Sequence, residues 1–333
     1  MHTIKLLMCL RWLKQMHVMV VLFTLPSLLW AQPIYPSHNV TIVVPSAPGG
    51  TTDFSARLIA EPLSKELGYP VVIDNKPGAS GNIGNAIVAK ANPDGHTLLL
   101  AYSGYQVANP HLFSTLAWHP VNDFTAVAML TRAPQLITIN PKLNVNTVAE
   151  LVKYIQSHPE KLNYASSGVG SIQHIAGELL AEIAGAKMKH IPYKGTGPAM
   201  TDLLSGEVSL FITTPAGVLP HIKNGKLKAL AVSGNKRLIN LPNVPTMDEL
   251  GYKNFNIESW FALYAPAKTP DAIVQRLQIA IDKILRNPDT LTKSEQAGTA
   301  IDRMSPQELN DYTKSEFAKW GDIIKKANIK LEN

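Results

Sequence analysis

Five short segments of the sequence combine glycine with serine, threonine or proline, and a helical pattern follows each one. They are segments 46–53, 77–84, 166–171, 193–198 and 213–217. Because each comes after a β-forming run, the free N–H groups at the start of a helix would point out of a strand end, beside hydroxyl groups. Such groups suit a carboxylate or another small anion. Any one loop alone is more simply an ordinary turn, but several loops at strand ends favour a ligand site.

Charged or titratable side chains in and beside these loops each have a simpler interpretation. Asp53 would lie in the first turn of its helix, where a carboxylate favours the helix dipole without any ligand. His174 could donate to a ligand, although a surface or packed histidine is more common. Lys76 and Lys194 could supply positive charge, although most exposed lysines are only solvated.

The enzyme signatures in the sequence are weak. Segment 78–84 imitates a dinucleotide fingerprint, but its spacing is GxxGxxG, and the acid expected at the end of the next strand is missing. The sequence contains no G-x-S-x-G elbow and no cluster with the spacing of metal ligands. No acid/base pair is evident, and we expect no cofactor and no metal. A secreted α/β enzyme of the hydrolase kind, using a serine-rich loop, is the alternative to a binding protein.

The elements that would position these loops are strands and helices in alternation, which predicts α/β layers around mostly parallel strands. Helices are predicted over 52–67, from the Thr269-Pro270-Asp271 start, and from the capping box that begins at Ser305. The predicted strands are 41–45, 71–74, 97–101, 136–139, 162–165, 208–213 and 227–233.

Length and composition indicate about two globular domains. The chain has 333 residues and is 45% hydrophobic and 17% charged, which excludes a disordered tail protein. Proline-containing stretches at 133–142 and 241–245 are the natural crossings between two domains. Three of the 31 Lys and Arg lie in the first 31 residues, which hold no acid, so the remainder carries +3. That charge is too small to indicate a nucleic-acid partner.

The first 31 residues have the order of a secretory signal: three positive residues, the apolar segment 18–30 and the small residue Ala31. The apolar segment is interrupted by Pro26 and is shorter than a membrane span. We expect cleavage after Ala31 and a mature protein in the periplasm; the alternative is a buried N-terminal helix. The single cysteine, Cys9, lies in this segment, so the mature chain would hold no thiol.

Six blocks of the sequence together resemble the periplasmic receptors of the tripartite tricarboxylate transporter class, also called the Bordetella uptake gene (Bug) proteins. The resemblance covers nearly the whole mature chain, in the order and spacing of the family. The blocks are VPSAPGGTTD, NKPGASGNIG, ANPDGHTLLLAYSG with NPHLF, YASSGVGSIQHIAGELL, HIPYKGTGPAMTDLLSGEVSLFI and LPHIKNGKLKALAVS.

The resemblance implies a two-lobed α/β periplasmic binding protein, type II-like, with a mixed, mostly parallel sheet in each lobe. Together with the proline stretches it predicts domain 1 over residues 32–134 plus 252–333 and domain 2 over 135–251. Such a receptor closes on a small organic carboxylate and delivers it to the membrane subunits of a tripartite transporter or to a sensor protein. We expect a monomer.

The same resemblance assigns ligand-binding residues by matching motif. One lobe would contribute Ser46, Gly49, Gly50, Thr51, Ala79, Ser80, Tyr102 and Ser103, and the other Ser166, Ser167, Ser171, Tyr193, Thr196 and Thr214. We expect neutral donors from 46–51, 78–82 and 166–171 to hold the carboxylate.

Two departures from the family pattern bear on specificity. Many members have an acid soon after the strand that matches 208–212, where this chain has Thr213-Thr214-Pro215, so an amino-acid ligand is less expected. Lys76 replaces the usual arginine, which keeps the charge but loses bidentate geometry.

Overall fold

The structure is a computed structural model, and it describes residues 35–326. The predicted signal, with Cys9 inside it, lies outside the described residues. Two mixed β-sheets with helices around them form the described part of the chain. We call the part of the molecule that is built on the six-stranded sheet the first lobe, and the part that is built on the five-stranded sheet the second lobe.

The sheet of the first lobe has the strand order β11-β4-β10-β3-β1-β2. Strands β1, β2 and β3 are parallel, β4 runs in the same direction, and β10 and β11 run in the opposite direction. The strands are β1 (Val40–Val44), β2 (Val71–Asn75), β3 (Thr97–Tyr102), β4 (Phe124–Pro134), β10 (Glu258–Pro266) and β11 (Ala300–Ile301).

The sheet of the second lobe has the order β7-β6-β8-β5-β9, and β5 alone of these five runs against the others. The two-lobed α/β prediction, with a mixed sheet in each lobe and most strands in one direction, is confirmed. The strands are β5 (Leu136–Ile139), β6 (Asn163–Ser166), β7 (Lys189–Pro192), β8 (Leu210–Thr213) and β9 (Lys228–Val232).

Helices connect the strands and cover both sheets. A short 3₁₀ turn at Ala79–Gly81 and a π-helical segment at Gly104–Ala108 interrupt the regular elements near two of the predicted ligand loops. The helices are α1 (Thr51–Leu67), α2 (Asn82–Ala89), α3 (Asn109–Leu112), α4 (Val148–Ser157), α5 (Ile172–Ala184), α6 (Thr196–Ser205), α7 (Pro215–Lys223), α8 (Asp271–Leu285), α9 (Pro288–Gln296) and α10 (Pro306–Lys326).

The predicted helix boundaries agree with the structure to within a residue. Helix α1 ends at Gly68, whose φ of 77° is the left-handed C-cap expected of glycine. Helix α10 begins with the predicted capping box, in which Glu308 Oε2 accepts from Ser305 N (2.8 Å). At α8 the prediction is wrong by one position. Pro270 is the N-cap and not the first helical residue, because the Thr269 hydroxyl turns back and donates to Pro266 O.

Apolar side chains from α1 and α8 fill one face of the first sheet. Ile59 and Leu63 of α1 and Leu277 of α8 are fully buried against Ile42 of β1. The C-terminal helix α10 covers the other face, where it packs against β4 and the π-helical segment. This burial of a helix stripe on each face fixes the sheet and therefore the position of the loops at its edge.

Candidate ligand-binding cleft

The loops at the ends of the strands of the two lobes meet each other, and we call the region between them the cleft. It is formed by residues 46–51, 78–82 and 102–109 of the first lobe and by 166–173, 193–197 and 213–217 of the second. Hydrogen bonds cross it at both ends: Ala47 N donates to Lys194 O (3.3 Å), the Tyr105 hydroxyl donates to Ser167 O (2.7 Å), and the Tyr102 hydroxyl bonds to Ile172 N and Gln173 Oε1. The lobes are therefore in contact around the predicted site.

Two glycines let the backbones of the lobes approach closely. A Cβ atom at Gly50 would lie 2.8 Å from Thr196 Oγ1, and one at Gly197 would overlap the carbonyl oxygen of Pro48. Both distances are shorter than real Cβ contacts. At this end Gly197 therefore approaches a main-chain atom of the other lobe and Gly50 approaches the side chain of Thr196, and a larger residue at Gly197 would push the lobes apart.

Three buried hydroxyl groups in the cleft have no hydrogen-bond partner within residues 35–326. They are Ser46 Oγ, Thr51 Oγ1 and Thr213 Oγ1. Ser46 follows β1, Thr51 is the first residue of α1, and Thr213 is the last residue of β8, two residues before α7 begins. Because an unpaired buried hydroxyl is unfavourable, these groups indicate a place where a polar ligand or water binds.

Free backbone donors lie at the same end of the cleft. Helices α1, α6 and α7 all begin there, with Gly50, Gly195 and Thr214 as their N-caps, and none of these three N-caps makes a side-chain cap bond. The first N–H groups of a helix have no partner within that helix and carry the positive end of its dipole. Hydroxyl and amide donors therefore converge on one small region.

Asp53 has a structural role in this region, as its simpler interpretation predicts. Its carboxylate is buried and accepts from Gly49 N (3.2 Å), Arg57 Nε (2.9 Å) and Asn75 Nδ2 (3.1 Å). These bonds neutralise the charge of Asp53 and hold the loop after β1 against β2. Lys76 pairs with Asp74 at 3.1 Å. No lysine or arginine is buried in residues 35–325, so no buried cation lies among the donors of the cleft.

The serines of the 166–171 loop have partners inside the protein. Ser166 Oγ lies 2.6 Å from His190 Nε2 and accepts from Gly168 N. Ser167 Oγ donates to Gln173 Oε1 (2.9 Å), and Ser171 Oγ caps α5 by accepting from His174 N. All three residues lie in the cleft, but their hydroxyl groups are engaged in holding the loop.

Three further predicted residues are also engaged with the protein. The Tyr102 hydroxyl donates to Gln173 Oε1 (2.9 Å) and accepts from Ile172 N (3.1 Å), so it occupies the start of α5. Ser103 Oγ accepts from Trp260 N (3.2 Å), which joins β3 to β10. The Tyr193 hydroxyl donates to Asp202 Oδ2 (2.6 Å), and burial together with Asp202 raises its pKa.

The remaining predicted residues lie beside the unpaired hydroxyls or on the 78–82 loop. Gly49, Gly50, Thr196 and Thr214 belong to the first group, around the starts of α1, α6 and α7. Ala79 and Ser80 have φ values of 45° and 52°, which non-glycine residues rarely adopt. The strained turn places Ser80 against Gly168 of the second lobe.

The structure brings a serine and a histidine together where the sequence showed no acid/base pair. His190 stacks between His174 (4.1 Å) and Tyr164 (4.9 Å), beside Ser166. Burial, and secondarily the charge of His174, lowers the pKa of His190 to about 3. Such a weak base removes few protons from a hydroxyl near neutral pH. The pair was missed because it depends on the register of β6 with β7, which the sequence does not display.

Sequence reasoning also missed Tyr105 and Gln173. Tyr105 follows β3 by three residues and is buried, and its burial raises the pKa of its hydroxyl to about 12, so that it stays a donor. An aromatic residue in a strand-end loop was the available signal for it. Gln173 carried none, because its position depends on the packing of the other lobe. Thr213 begins the predicted loop 213–217 but is not among the fourteen assigned residues.

A groove of about 820 Å³ lies along α1, α7, α8 and α9 and includes Ala216 of the 213–217 loop in its lining. None of the fourteen predicted site residues lines it. Its walls carry ion pairs between Lys65 and Glu61 and between Lys283 and Glu66. Volume alone therefore does not identify the site.

The described part of the chain shows neither a metal-binding cluster nor a membrane-spanning helix. Within residues 35–326, no three His, Cys, Asp or Glu side chains are grouped so that they could hold a metal ion. No helix of that part is both long enough and apolar enough to cross a membrane.

Two α/β lobes with a neutral polar cleft between them define a two-lobed solute-binding protein. A family model described as "tripartite tricarboxylate transporter family receptor" matches residues 55–329. The chain therefore belongs to this family of periplasmic solute-binding receptors. The resemblance inferred from the sequence is confirmed.

Individual relatives are similar over most of their length. BugT of Bordetella pertussis is 34% identical, over 90% of this chain and 92% of its own. A UPF0065 protein of the TAR-I ttuE-ttuC′ intergenic region in Agrobacterium vitis is 37% identical, over 93% and 90%.

Solved structures show the same architecture. The periplasmic binding protein BugD has a TM-score of 0.86 and 36% identity, covering 90% of this chain and 100% of its own. Rpa4515 of R. palustris, solved with adipate, has a TM-score of 0.86 and 36% identity over 89% and 99%. MatC of Rhodopseudomonas palustris, solved with bound malate, has a TM-score of 0.83 and 35% identity over 87% and 100%.

Proposed function

We propose that this receptor captures a small organic carboxylate in the cleft and delivers it to the membrane subunits of a tripartite transporter. The observation that carries the proposal is the set of unpaired buried hydroxyls, Ser46, Thr51 and Thr213, at the starts of α1 and α7. Similar proteins solved with adipate and with malate support a carboxylate as the ligand.

The binding mode relies on neutral donors. Hydroxyl groups and the first N–H groups of α1, α6 and α7 replace the water that surrounds a carboxylate in solution. Each hydrogen bond to a charged group contributes about 1.5–3 kcal/mol, so a few of them suffice for micromolar binding without a buried arginine. Asp53 holds the loop that carries Ser46 through Gly49 N and Asn75 Nδ2, which reduces the cost of ordering the donors of the first lobe.

We further propose that the chain is not an enzyme. The Ser166–His190 pair supports this, because Ser166 is fully buried and the low pKa of His190 makes it a poor base. Any hydrolysis of an ester or amide by the purified protein that the Ser166→Ala variant loses would overturn this part of the proposal.

The organisation of the mature protein completes the proposal. Domain 1 comprises 32–134 plus 252–333 and domain 2 comprises 135–251, which the placement of β1–β4, β10 and β11 in one sheet and β5–β9 in the other supports. The protein is a monomer in the periplasm, with its signal cleaved after Ala31. Sedimentation of the periplasmic protein and its intact mass test both statements.

A ligand screen followed by titration tests the carboxylate site. Monocarboxylates, dicarboxylates, aromatic acids and amino acids are added to the purified protein, and a binder raises the melting temperature. The best acid is then titrated by calorimetry into wild type, Ser46→Ala and Thr51→Val. Because each variant removes one donor, we expect affinity to fall by about tenfold.

Thr138→Val is the matched control, because Thr138 is a buried threonine of β5 that pairs with Phe211 and whose hydroxyl bonds to Leu136 O. Its affinity should equal that of wild type. If no carboxylate raises the melting temperature, or if Ser46→Ala and Thr51→Val bind as wild type does, the proposed site is wrong.

A further inference from the structure

One end of the cleft is filled by a side chain of the first lobe. Tyr105 is buried, and its ring lies directly on Gly81, where a Cβ atom would come within 2.7 Å of the ring carbon Cγ. Its hydroxyl reaches across the cleft and donates to Ser167 O at 2.7 Å. The ring therefore spans from one predicted ligand loop, 78–82, to another, 166–171.

A second tyrosine supports this arrangement. Tyr102 packs edge to face against Tyr105, with ring centroids 4.8 Å apart. The Tyr102 hydroxyl accepts a hydrogen bond from Ile172 N and donates one to Gln173 Oε1. The donor at the start of α5 that a ligand could otherwise use is thus occupied by the protein.

The two ends of the cleft therefore differ in chemistry. Around Ser46, Thr51 and Thr213 the hydroxyl groups are buried and unpaired, whereas the hydroxyl groups of Tyr105 and Ser167 are buried and paired. Asn109 Oδ1, near the Tyr105 end, is also buried without a partner among the described residues. A ligand would place its carboxylate at the unpaired end and extend the rest of its chain toward the tyrosines.

We propose that Tyr105 is a specificity-determining residue, which limits the length of the bound acid by filling the α5 end of the cleft. This inference rests on the proposed function, because it assumes that a carboxylate binds at the other end. The substrate class is then a short-chain acid whose distal end meets the phenol ring. A longer acid would meet the ring, which the contact with Gly81 and the hydrogen bond to Ser167 O hold in place.

The length of the acid that binds best is the quantity to measure. Linear mono- and dicarboxylates that differ by one methylene group, from succinate through glutarate and adipate to pimelate among the dicarboxylates, are titrated by calorimetry into wild type and Tyr105→Ala. In the variant we expect the best-bound acid to be longer. Affinity should rise by about fourfold for each methylene group that the enlarged cleft newly accommodates.

A second variant separates the ring from its hydroxyl group. Tyr105→Phe keeps the ring and loses only the bond to Ser167 O, so the preferred length should stay that of wild type. Tyr264→Phe is the matched control, because Tyr264 is another buried tyrosine whose hydroxyl bonds to a side chain, Thr313, far from the cleft. If Tyr105→Ala does not fold, Tyr105→Leu replaces it, and Tyr105→Trp should shift the preference to shorter acids.

The outcomes distinguish the two proposals. If wild type binds none of the carboxylates, the proposed function fails and this inference fails with it. If wild type binds an acid but the folded Tyr105→Ala or Tyr105→Leu protein shows the same order of preference along the series, the proposed function stands and Tyr105 does not set the length. A shift to longer acids in these variants, absent in Tyr105→Phe, supports the inference.

Discussion

Gln135 and Ser233 are hydrogen-bonded to each other at the place where the chain passes between the two sheets. Gln135 N donates to Ser233 Oγ (2.8 Å), and Ser233 N donates to Gln135 O (2.8 Å). Gln135 links β4 to β5, and Ser233 follows β9 directly. The Ser233 hydroxyl also donates to Ile257 O (2.6 Å), next to β10, so one side chain connects the segments that join the lobes.

Ser233→Ala should therefore destabilise the protein. The substitution leaves Gln135 N and Ile257 O buried without their partner, which costs about 1–3 kcal/mol for each group that finds no water. Urea unfolding followed by circular dichroism measures the free energy of unfolding. Ser157→Ala, which removes an exposed serine hydroxyl from the end of α4, is the control and should change little. Equal stabilities of the two variants would contradict the role of Ser233.

Ser171→Ala should affect stability more than it affects binding. Ser171 Oγ is the N-cap of α5, where it accepts from His174 N (3.3 Å). Loss of an N-cap costs about 1 kcal/mol. We expect that loss in urea unfolding and less than a threefold change in affinity for the acid found by screening. A tenfold loss of affinity with unchanged stability would show instead that this hydroxyl contacts the ligand.

Asp53→Ala should weaken ligand binding although Asp53 does not face the ligand. Its carboxylate fixes Gly49 N and Asn75 Nδ2, and these bonds position the loop that carries Ser46. Without the Asp53 carboxylate this loop becomes less ordered. Each hydrogen bond to the charged Asp53 side chain contributes about 1.5–3 kcal/mol. Calorimetry should show a weaker affinity together with lower stability. Asp94→Ala, in an exposed turn, is the control. Wild-type affinity in Asp53→Ala would rule out the positioning role.

Stability should fall in acid because of His190. Its pKa is lowered to about 3 in the folded protein, by burial and by His174, whereas the pKa of a histidine in the unfolded chain is about 6.5. Below about pH 6.5 the unfolded chain binds a proton that folded His190 does not accept. The free energy of unfolding therefore falls with decreasing pH, by at most about 1.4 kcal/mol per unit from this group, and levels off near pH 3.

The His190→Gln variant isolates this contribution. Urea unfolding at several pH values between 6.5 and 4 should give a shallower pH dependence for the variant than for wild type, and His221→Gln in α7 is the control. An identical slope in wild type and His190→Gln would mean that His190 is protonated in the folded protein.

The parts of the fold that could be predicted from the sequence are those whose signals lie close to the ends of a helix or strand. Helix α10 begins at a capping box and α1 ends at a glycine, and both signals lie within a few residues of the boundary they set. Strands β4 and β10 were not predicted. They pair with each other along almost their whole length, although more than a hundred residues separate them. No local pattern encodes that pairing.

The candidate site, like the fold, has local features that the sequence predicts and others that depend on distant residues. The loops could be located because hydroxyl-rich turns before helices are visible in the sequence. The sequence does not predict which hydroxyl groups lack a hydrogen-bond partner, because the partners are distant in the chain. Ser103 Oγ bonds to Trp260 N, and Ser166 Oγ bonds to His190. Ser46 and Thr51 differ from them only in what the fold places nearby.

The contact between Gly197 and Pro48 joins the two lobes through backbone atoms, whereas side chains of the cleft recognise the ligand. Main-chain atoms make this contact, and main-chain atoms are the same whatever side chains surround them. Substitution of a cleft hydroxyl that makes no contact across the lobes, such as that of Ser46 or Thr51, can therefore change which acid is preferred and leave this contact between the lobes in place. A homologue of this chain could bind a different carboxylate after a few side-chain changes in the cleft. Its two lobes would still present the same surface to the protein that recognises the ligand-bound receptor.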